Sequence, residues 1–267
     1  MTYSIENHPP APLSRRRLLR LMLAGSAAGL SCPSRPWAKD DEPPHDIPAG
    51  YKLEIRHPLK TRTHGRSGHL ALLVDQRITA LSRPAMEEYY FFGYTEDTEV
   101  AKTMDAQALA EAQMVIHDDD GKTVETIFLG TPFARLRAVA LTSSAPHEFV
   151  IETSQGGFGQ FTGTYGRVFT IEQGAIRYST AIDDETNAPE DMVLQRSPGT
   201  DWRIIPASGR GSDIYQVICR SDETDGTGFG EVYVSYRLDK TGWHKRRRMG
   251  QGFCTWTDGF PVLRAFP

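Results

Sequence analysis

The stretch SQGGFGQFTGTYG, residues 154–166, is the first place to look for ligand chemistry, because glycine-rich loops can cradle phosphate groups. Its glycines are spaced G-x-G-x-x-x-G at Gly157, Gly159 and Gly163, one residue longer than the dinucleotide-binding motif. The flanking segments FVIET and RVFTI are both typical of strands, whereas a phosphate site needs a helix after the turn. The stretch therefore predicts a hairpin with an irregular, bulged tip, whose glycines allow positive φ angles or close backbone approach.

The aromatic residues of this stretch are candidates for a contact surface, since Tyr and Phe offer a large area at low entropic cost. We predict that Phe158 and Tyr165 are at least partly exposed and bind a protein or glycan partner, and that Phe161 is buried. The alternative is that all of these rings fold down onto the sheet and serve its core.

Acidic and histidine residues provide weaker candidates. Glu87 and Glu88 beside YYFFGY are the acids best placed for a glycoside hydrolase, but adjacent strand residues point to opposite faces. His57, His64 and His69 lie close in sequence, yet basic residues alternate with them and no Cys or paired carboxylate completes a ligand set. We expect a polar loop there and no metal.

Three acidic clusters, DDDG, DDETNAPED and DETDG, do not have the spacing of a calcium-binding loop and are typical of solvated hairpin turns. No nucleophile elbow, zinc-protease helix or Ser-x-x-Lys motif occurs after residue 38. The sequence therefore supplies no recognisable catalytic constellation and implies no cofactor.

The elements that would position these residues are mostly strands of period two. ARLRAVAL, residues 134–141, places Ala and Leu on one face and Arg135 and Arg137 on the other, as a half-buried strand does. The same reading applies to HLALLV, HEFVIET, RVFTI, AIRYSTAI, IYQVICR and EVYVSYRL. Turn formers separate them at Asp75, Asp118, Glu172 and Asp239.

One segment favours a helix, MDAQALAEAQM from Met104 to Met114, with Asp105 as N-cap. Residues 50–267 are thus expected to form a single all-β domain, mainly antiparallel, sandwich or barrel-like, with one short helix. Residues 39–49, KDDEPPHDIPA, are acidic and Pro-rich and predict a linker.

The N-terminus is predicted to be an export signal over residues 1–38, because a basic cluster precedes a short apolar run. SRRRLLR resembles the twin-arginine signal of bacterial exported proteins, through Ser14, Arg15, Arg16, Leu18 and Leu19. The alternative is an ordinary secretory leader. The resemblance implies contact with the twin-arginine translocase and export in the folded state, to the periplasm or beyond.

Charge and cysteine usage agree with export. The full chain has 30 basic and 34 acidic residues; without five basic residues and Glu6 of the signal, 25 and 33 remain, a net charge of −8. This acidity disfavours nucleic-acid binding, so HKRRRM, residues 244–249, is interpreted as a charged edge strand. Cys219 and Cys254 are a candidate disulfide, and lipid attachment at Cys32 is a less favoured alternative.

These observations favour an exported, non-catalytic binding protein that holds or inhibits another envelope protein through an exposed loop and edge. The alternative is a hydrolase or lyase acting on envelope glycans. No run after the signal is long and apolar enough to predict a transmembrane segment.

Overall fold

The fold is given by a computed structural model, which describes residues 47–60, 64–92, 95–106, 109–142, 148–155, 163–197, 200–207, 211–222, 228–250, 260–261 and 263–267. All of them lie in one compact unit, Glu42–Pro267. Three open, largely antiparallel sheets make up this unit, so the all-β prediction is confirmed. Within the described residues, none of the sheets closes into a barrel.

Sheet A forms one outer layer. Its strand order is β1-β2-β3-β4, and each neighbouring pair is antiparallel. The strands are β1 Tyr51–Leu59, β2 Gly68–Asp75, β3 Gln113–His117 and β4 Thr123–Phe128. The DDDG cluster forms the β3–β4 turn, as predicted. The Asp118 carboxylate accepts hydrogen bonds from the backbone N–H groups of Asp120 and Lys122.

Sheet B forms the middle layer, with the order β11-β7-β6-β5 and with β8 also paired to β7. Its strands are β5 Ala134–Val139, β6 Glu148–Gln155, β7 Gly163–Glu172, β8 Ala175–Tyr178 and β11 Val193–Arg196. The β7–β8 turn carries Gln173 at φ 51° and Gly174 at φ 79°, which confirms the turn predicted at Glu172.

Sheet C forms the other outer layer, with the order β10-β9-β15-β14-β13-β12. Its strands are β9 Thr180–Asp183, β10 Ala188–Asp191, β12 Asp201–Pro206, β13 Ser212–Asp222, β14 Gly228–Asp239 and β15 Gly242–Met249. A short 3-10 turn, Leu263–Ala265, lies near the C-terminus.

Two hydrophobic cores separate the layers. The first contains side chains of sheets A and B, among them Leu72 of β2 and Phe149 and Ile151 of β6. The second contains Val150 of β6 and side chains of sheet C such as Ile214. Strand β6 is therefore buried on both faces, because successive residues of a strand point to opposite sides of the sheet.

The helix prediction over Met104–Met114 is wrong in position and number. The described residues contain two helices, α1 Arg83–Phe92 and α2 Thr98–Ala106, and Met114 lies in β3. Asp97, not Asp105, caps α2 by accepting hydrogen bonds from two backbone N–H groups of its first turn. The Asp75 carboxylate accepts the Ala110 N–H at 2.8 Å, which draws this segment into the sheet.

Two strand predictions also need correction. AIRYSTAI is not one strand, because Ser179 separates β8 in sheet B from β9 in sheet C. The basic segment HKRRRM is an edge only in part, because β15 pairs with β14 along the whole segment and with β9 at His244 and Lys245. Its charges meet acids of the β9–β10 hairpin, and Arg247 Nη2 lies 2.5 Å from the buried Asp183 Oδ2.

Candidate functional site

The glycine-rich stretch connects two neighbouring strands, as the sequence predicts. β6 and β7 pair in register from Phe149–Phe169 to Gln155–Gly163. Residues 156–162, which include Phe158 and Phe161, lie outside the described residues, so the predictions for those two rings remain predictions. Tyr165 lies in β7 and is half-buried, as its predicted partial exposure requires, and its role in binding stays a prediction.

Gly163 is needed for close backbone approach. A Cβ atom at this position would lie 2.1 Å from the Arg196 carbonyl oxygen of β11, too close for any side chain. Gly166 is similarly confined, because its Cβ would lie 3.2 Å from Leu194 Cβ and 3.6 Å from Glu152 Cγ. The missing side chain at Gly166 leaves the space across which Glu152 and Arg196 meet.

The side chains of Glu152, Arg137, Arg196 and Trp202, together the Glu152 cluster, lie between sheets B and C. Glu152 is 3% exposed and accepts a hydrogen bond from Arg137 Nη2 at 3.0 Å, while Arg196 Nη1 lies 3.3 Å away on its other oxygen. Both guanidinium carbons lie 4.9 Å from the centre of the Trp202 ring. Each arginine therefore combines a charge-assisted contact with a cation–π contact.

The cluster is part of a larger network of charges. Arg196 Nε also lies 2.9 Å from Asp201 Oδ1, and Arg203 Nη2 lies 2.9 Å from the other oxygen of Asp201, so three guanidinium groups face two carboxylates. Burial lowers the pKa of Arg137, Glu152 raises it again, and the nearby charge of Arg196 lowers it.

Four buried polar atoms in and beside the Glu152 cluster have no hydrogen-bond partner among the described residues: Ser154 Oγ, Thr164 Oγ1, Trp202 Nε1 and Gln216 Oε1. Sequence reasoning missed these residues and the Glu152 cluster. The one sequence feature that pointed to this region was the arginine face of ARLRAVAL. That face was expected to be exposed to solvent, but Arg137 packs against Trp202 of sheet C.

Strand β4 is a second candidate site, because it is the edge of sheet A. Among the described residues it pairs with β3 alone, and it exposes Val124 (44%) and Phe128 (64%). Glu125 is the single charged residue of TVETIF. An edge with few charges and exposed apolar side chains is open to pairing with another strand.

A cavity of about 230 Å³ lies on the same face of sheet A, beside β4. It carries no ionisable side chain, since its walls are Ile47, Pro48, Leu73, Gln113, Val115, Thr123 and Thr126. Such a lining mixes apolar side chains with Gln and Thr and offers no acid or base for catalysis.

The carboxylates proposed for hydrolysis lie on helix α1, not on a strand. Glu87 is paired with Arg83 at 2.9 Å and with Arg135 at 3.8 Å. Glu88 accepts a hydrogen bond from Thr95 Oγ1 at 3.3 Å. Glu87 is thus engaged in ion pairs with two arginines.

The three clustered histidines are divided between two places. His57 and His64 both pack against Phe149, with ring centres 5.8 and 5.9 Å apart, whereas His69 lies opposite His117 on β3. Burial lowers the pKa of His57, and a hydrogen bond to the Leu136 backbone offsets this only in part. The part of the chain that the structure describes holds no group of three or more potential metal ligands.

Cys219 lies in β13 and is the single cysteine among the described residues, so no disulfide pair lies within them. Cys254, its predicted partner, lies outside them, and so do Cys32 and the export-signal residues Ser14, Arg15, Arg16, Leu18 and Leu19. The proposed bridge and the signal therefore remain predictions.

Comparison with protein-family models, with curated proteins and with solved structures finds no match to this chain. Within the described ranges, no helix is long and apolar enough to cross a membrane.

Proposed function

We propose that this chain is an exported, non-catalytic binding protein, and that strand β4 is the edge by which it holds or inhibits another envelope protein. The observation that carries the proposal is the exposure of Val124 and Phe128 on an edge with one charged residue. Proteins usually protect such edges with Lys, Pro or a bulge. Strand β4 contains no Lys or Pro, and its pairing with β3 has one register irregularity, at Val124. Here the partner would add a strand beside β4, taking its affinity from main-chain hydrogen bonds and its specificity from alternate side chains.

The export part of the proposal rests on SRRRLLR and the short apolar run after it. The twin-arginine translocase would be a transient partner, and the periplasm or the exterior the place of work. The Cys219–Cys254 bridge belongs to the same proposal, because an oxidising compartment lets it persist. Counting free thiols in the exported protein tests the bridge.

The edge is tested by giving it the charges that natural edge strands carry. Val124→Lys combined with Phe128→Lys should reduce capture of the partner from envelope extract by about tenfold or more, because lysine opposes strand pairing. Leu81→Lys is the matched control, since Leu81 is 95% exposed but lies outside the sheets. Equal capture by all three proteins would contradict the proposal.

The alternative is a hydrolase or lyase for envelope glycans, and the same variants test it. If the purified chain degrades envelope glycans, and the double lysine variant degrades them equally well, the enzyme is favoured. Glu88 is the candidate acid or base for this function, because Glu87 is engaged in ion pairs with two arginines.

A further inference from the structure

The side chains beside the Glu152 cluster have hydrogen-bonding capacity that the protein does not use. Ser154, Trp202 and Gln216 are exposed by 3%, 2% and 1%, and each has one buried polar atom without a partner, as does Thr164. Leaving such atoms unpaired is costly, so native proteins pair them with protein, water or ligand. Four of them in one region need an explanation.

The strand registers bring these four side chains together. Ser154 lies opposite Thr164 in sheet B, on the face that carries Val150 and Val168 of the second core. Trp202 lies opposite Gln216 in sheet C. Arg196 links the two pairs, because it lies opposite Thr164 in the β7–β11 ladder and its guanidinium contacts the Trp202 ring.

The site lies at one end of the two sheets. Ser154 and Thr164 are next to Gln155–Gly163, the last pair of the β6–β7 ladder. Thr200 and Asp201, at the start of β12, mark the same end of sheet C.

The unpaired atoms define the chemistry of that ligand. Trp202 Nε1 only donates, Gln216 Oε1 only accepts, and the hydroxyls of Ser154 and Thr164 do both. A hydroxyl group is complementary to this set, because it accepts from the indole and donates to the amide oxygen. A carboxylate has no proton to donate and would leave the amide oxygen unpaired.

We propose that Ser154, Thr164, Trp202 and Gln216 form a binding site for a hydroxyl group of an uncharged polyol or saccharide. The site is independent of strand β4, which lies in sheet A, so the two proposals can fail separately. Arg137, Arg196 and Arg203 each already contact Glu152 or Asp201, so the ligand is left to the uncharged side chains.

The test is a titration of the full chain, labelled with ¹⁵N-tryptophan, with glycerol, glucose and N-acetylglucosamine in separate experiments. Trp202→Phe identifies the Trp202 indole signal among the four tryptophans of the chain. We expect that signal to shift and saturate with at least one probe at millimolar concentration. Response to glycerol as well as sugar would indicate a general polyol site, and response to a sugar alone a saccharide site.

Ser154→Ala combined with Thr164→Val should weaken this binding about tenfold, because two hydrogen bonds are lost. The control is Thr153→Val, on the opposite face of β6, which should bind within about twofold of the original chain. Thermal melts should show both variants folded, since Ser154 and Thr164 lose hydroxyls that have no partner in the protein. No saturable shift with any probe, or a shift unchanged in the double variant, would overturn the proposal.

Discussion

Glu152 holds two positive charges of the middle sheet in place from a buried position. Removing its charge leaves Arg137 and Arg196 facing each other over Trp202 without their shared carboxylate. We predict that Glu152→Gln lowers the free energy of unfolding by about 3 kcal/mol, the lower part of the range for a broken buried pair, because both guanidinium groups are partly hydrated.

Urea unfolding measures this loss, and Glu54→Gln is the control. Glu54 also pairs with an arginine, Arg83, but its side chain is 32% exposed, so its loss should cost less than about 1 kcal/mol. Equal effects of the two substitutions would contradict the structural role given to Glu152.

His57 should make stability depend on pH. Burial lowers the pKa of His57 in the folded state below its ordinary value of 6.5, so the unfolded chain binds the proton more tightly. Stability should therefore be complete above pH 6.5 and decline as the pH falls below it, by at most about 1.4 kcal/mol per pH unit. The decline should stop below the folded pKa of this group.

Urea midpoints between pH 7.5 and 5 measure the effect, and His57→Phe should remove it. Asp75 affects stability at lower pH. Burial alone would raise the pKa of Asp75, but hydrogen bonds from Arg77 and Ala110 hold this pKa below its normal value. The stability that Asp75 contributes is therefore lost only as the pH falls below about 4. An unchanged pH profile in His57→Phe would exclude His57 as the source.

At the scale of elements, Gly163 determines whether β11 can pair with β7. Gly163→Ala should destabilise the protein by about 2 kcal/mol or more, because its Cβ would strike the Arg196 carbonyl oxygen. Gly230→Ala in β14 is the control, since its Cβ would be 3.7 Å from Met249 Cε, an ordinary contact. A Gly163→Ala variant as stable as Gly230→Ala would show that β11 can move away without cost.

The alternation of polar and apolar residues predicted where the strands lie, but not which other strands and sheets pack against them. The alternation in ARLRAVAL and HEFVIET locates β5 and β6, but it does not reveal that sheet C covers the Arg137 and Glu152 side. HKRRRM carries the charges of an edge strand, yet the acids that neutralise it lie about sixty residues earlier in the chain. The strong helix formers after Ala106 do not continue α2, because Asp75 binds the Ala110 N–H.

For the whole molecule, we predict that the basic pair of the proposed signal sets the route of export. Replacing Arg15 and Arg16 with lysine should leave uncleaved precursor in the cytoplasm, because the resemblance assigns recognition to this pair. Fractionation and immunoblotting measure the precursor. Undiminished export that still depends on the twin-arginine translocase would contradict the assignment, and export through the general secretory route would favour an ordinary leader.

The contact edge on sheet A is the central claim, and crosslinking in living cells tests it most directly. A photo-crosslinking residue at Val124 should form an adduct with another envelope protein, and the same residue at Leu81 should not. The adduct should disappear when Phe128→Lys is added, because the charge blocks the edge. No adduct at Val124, equal adducts at both positions, or an adduct only with a second copy of this chain would contradict the account.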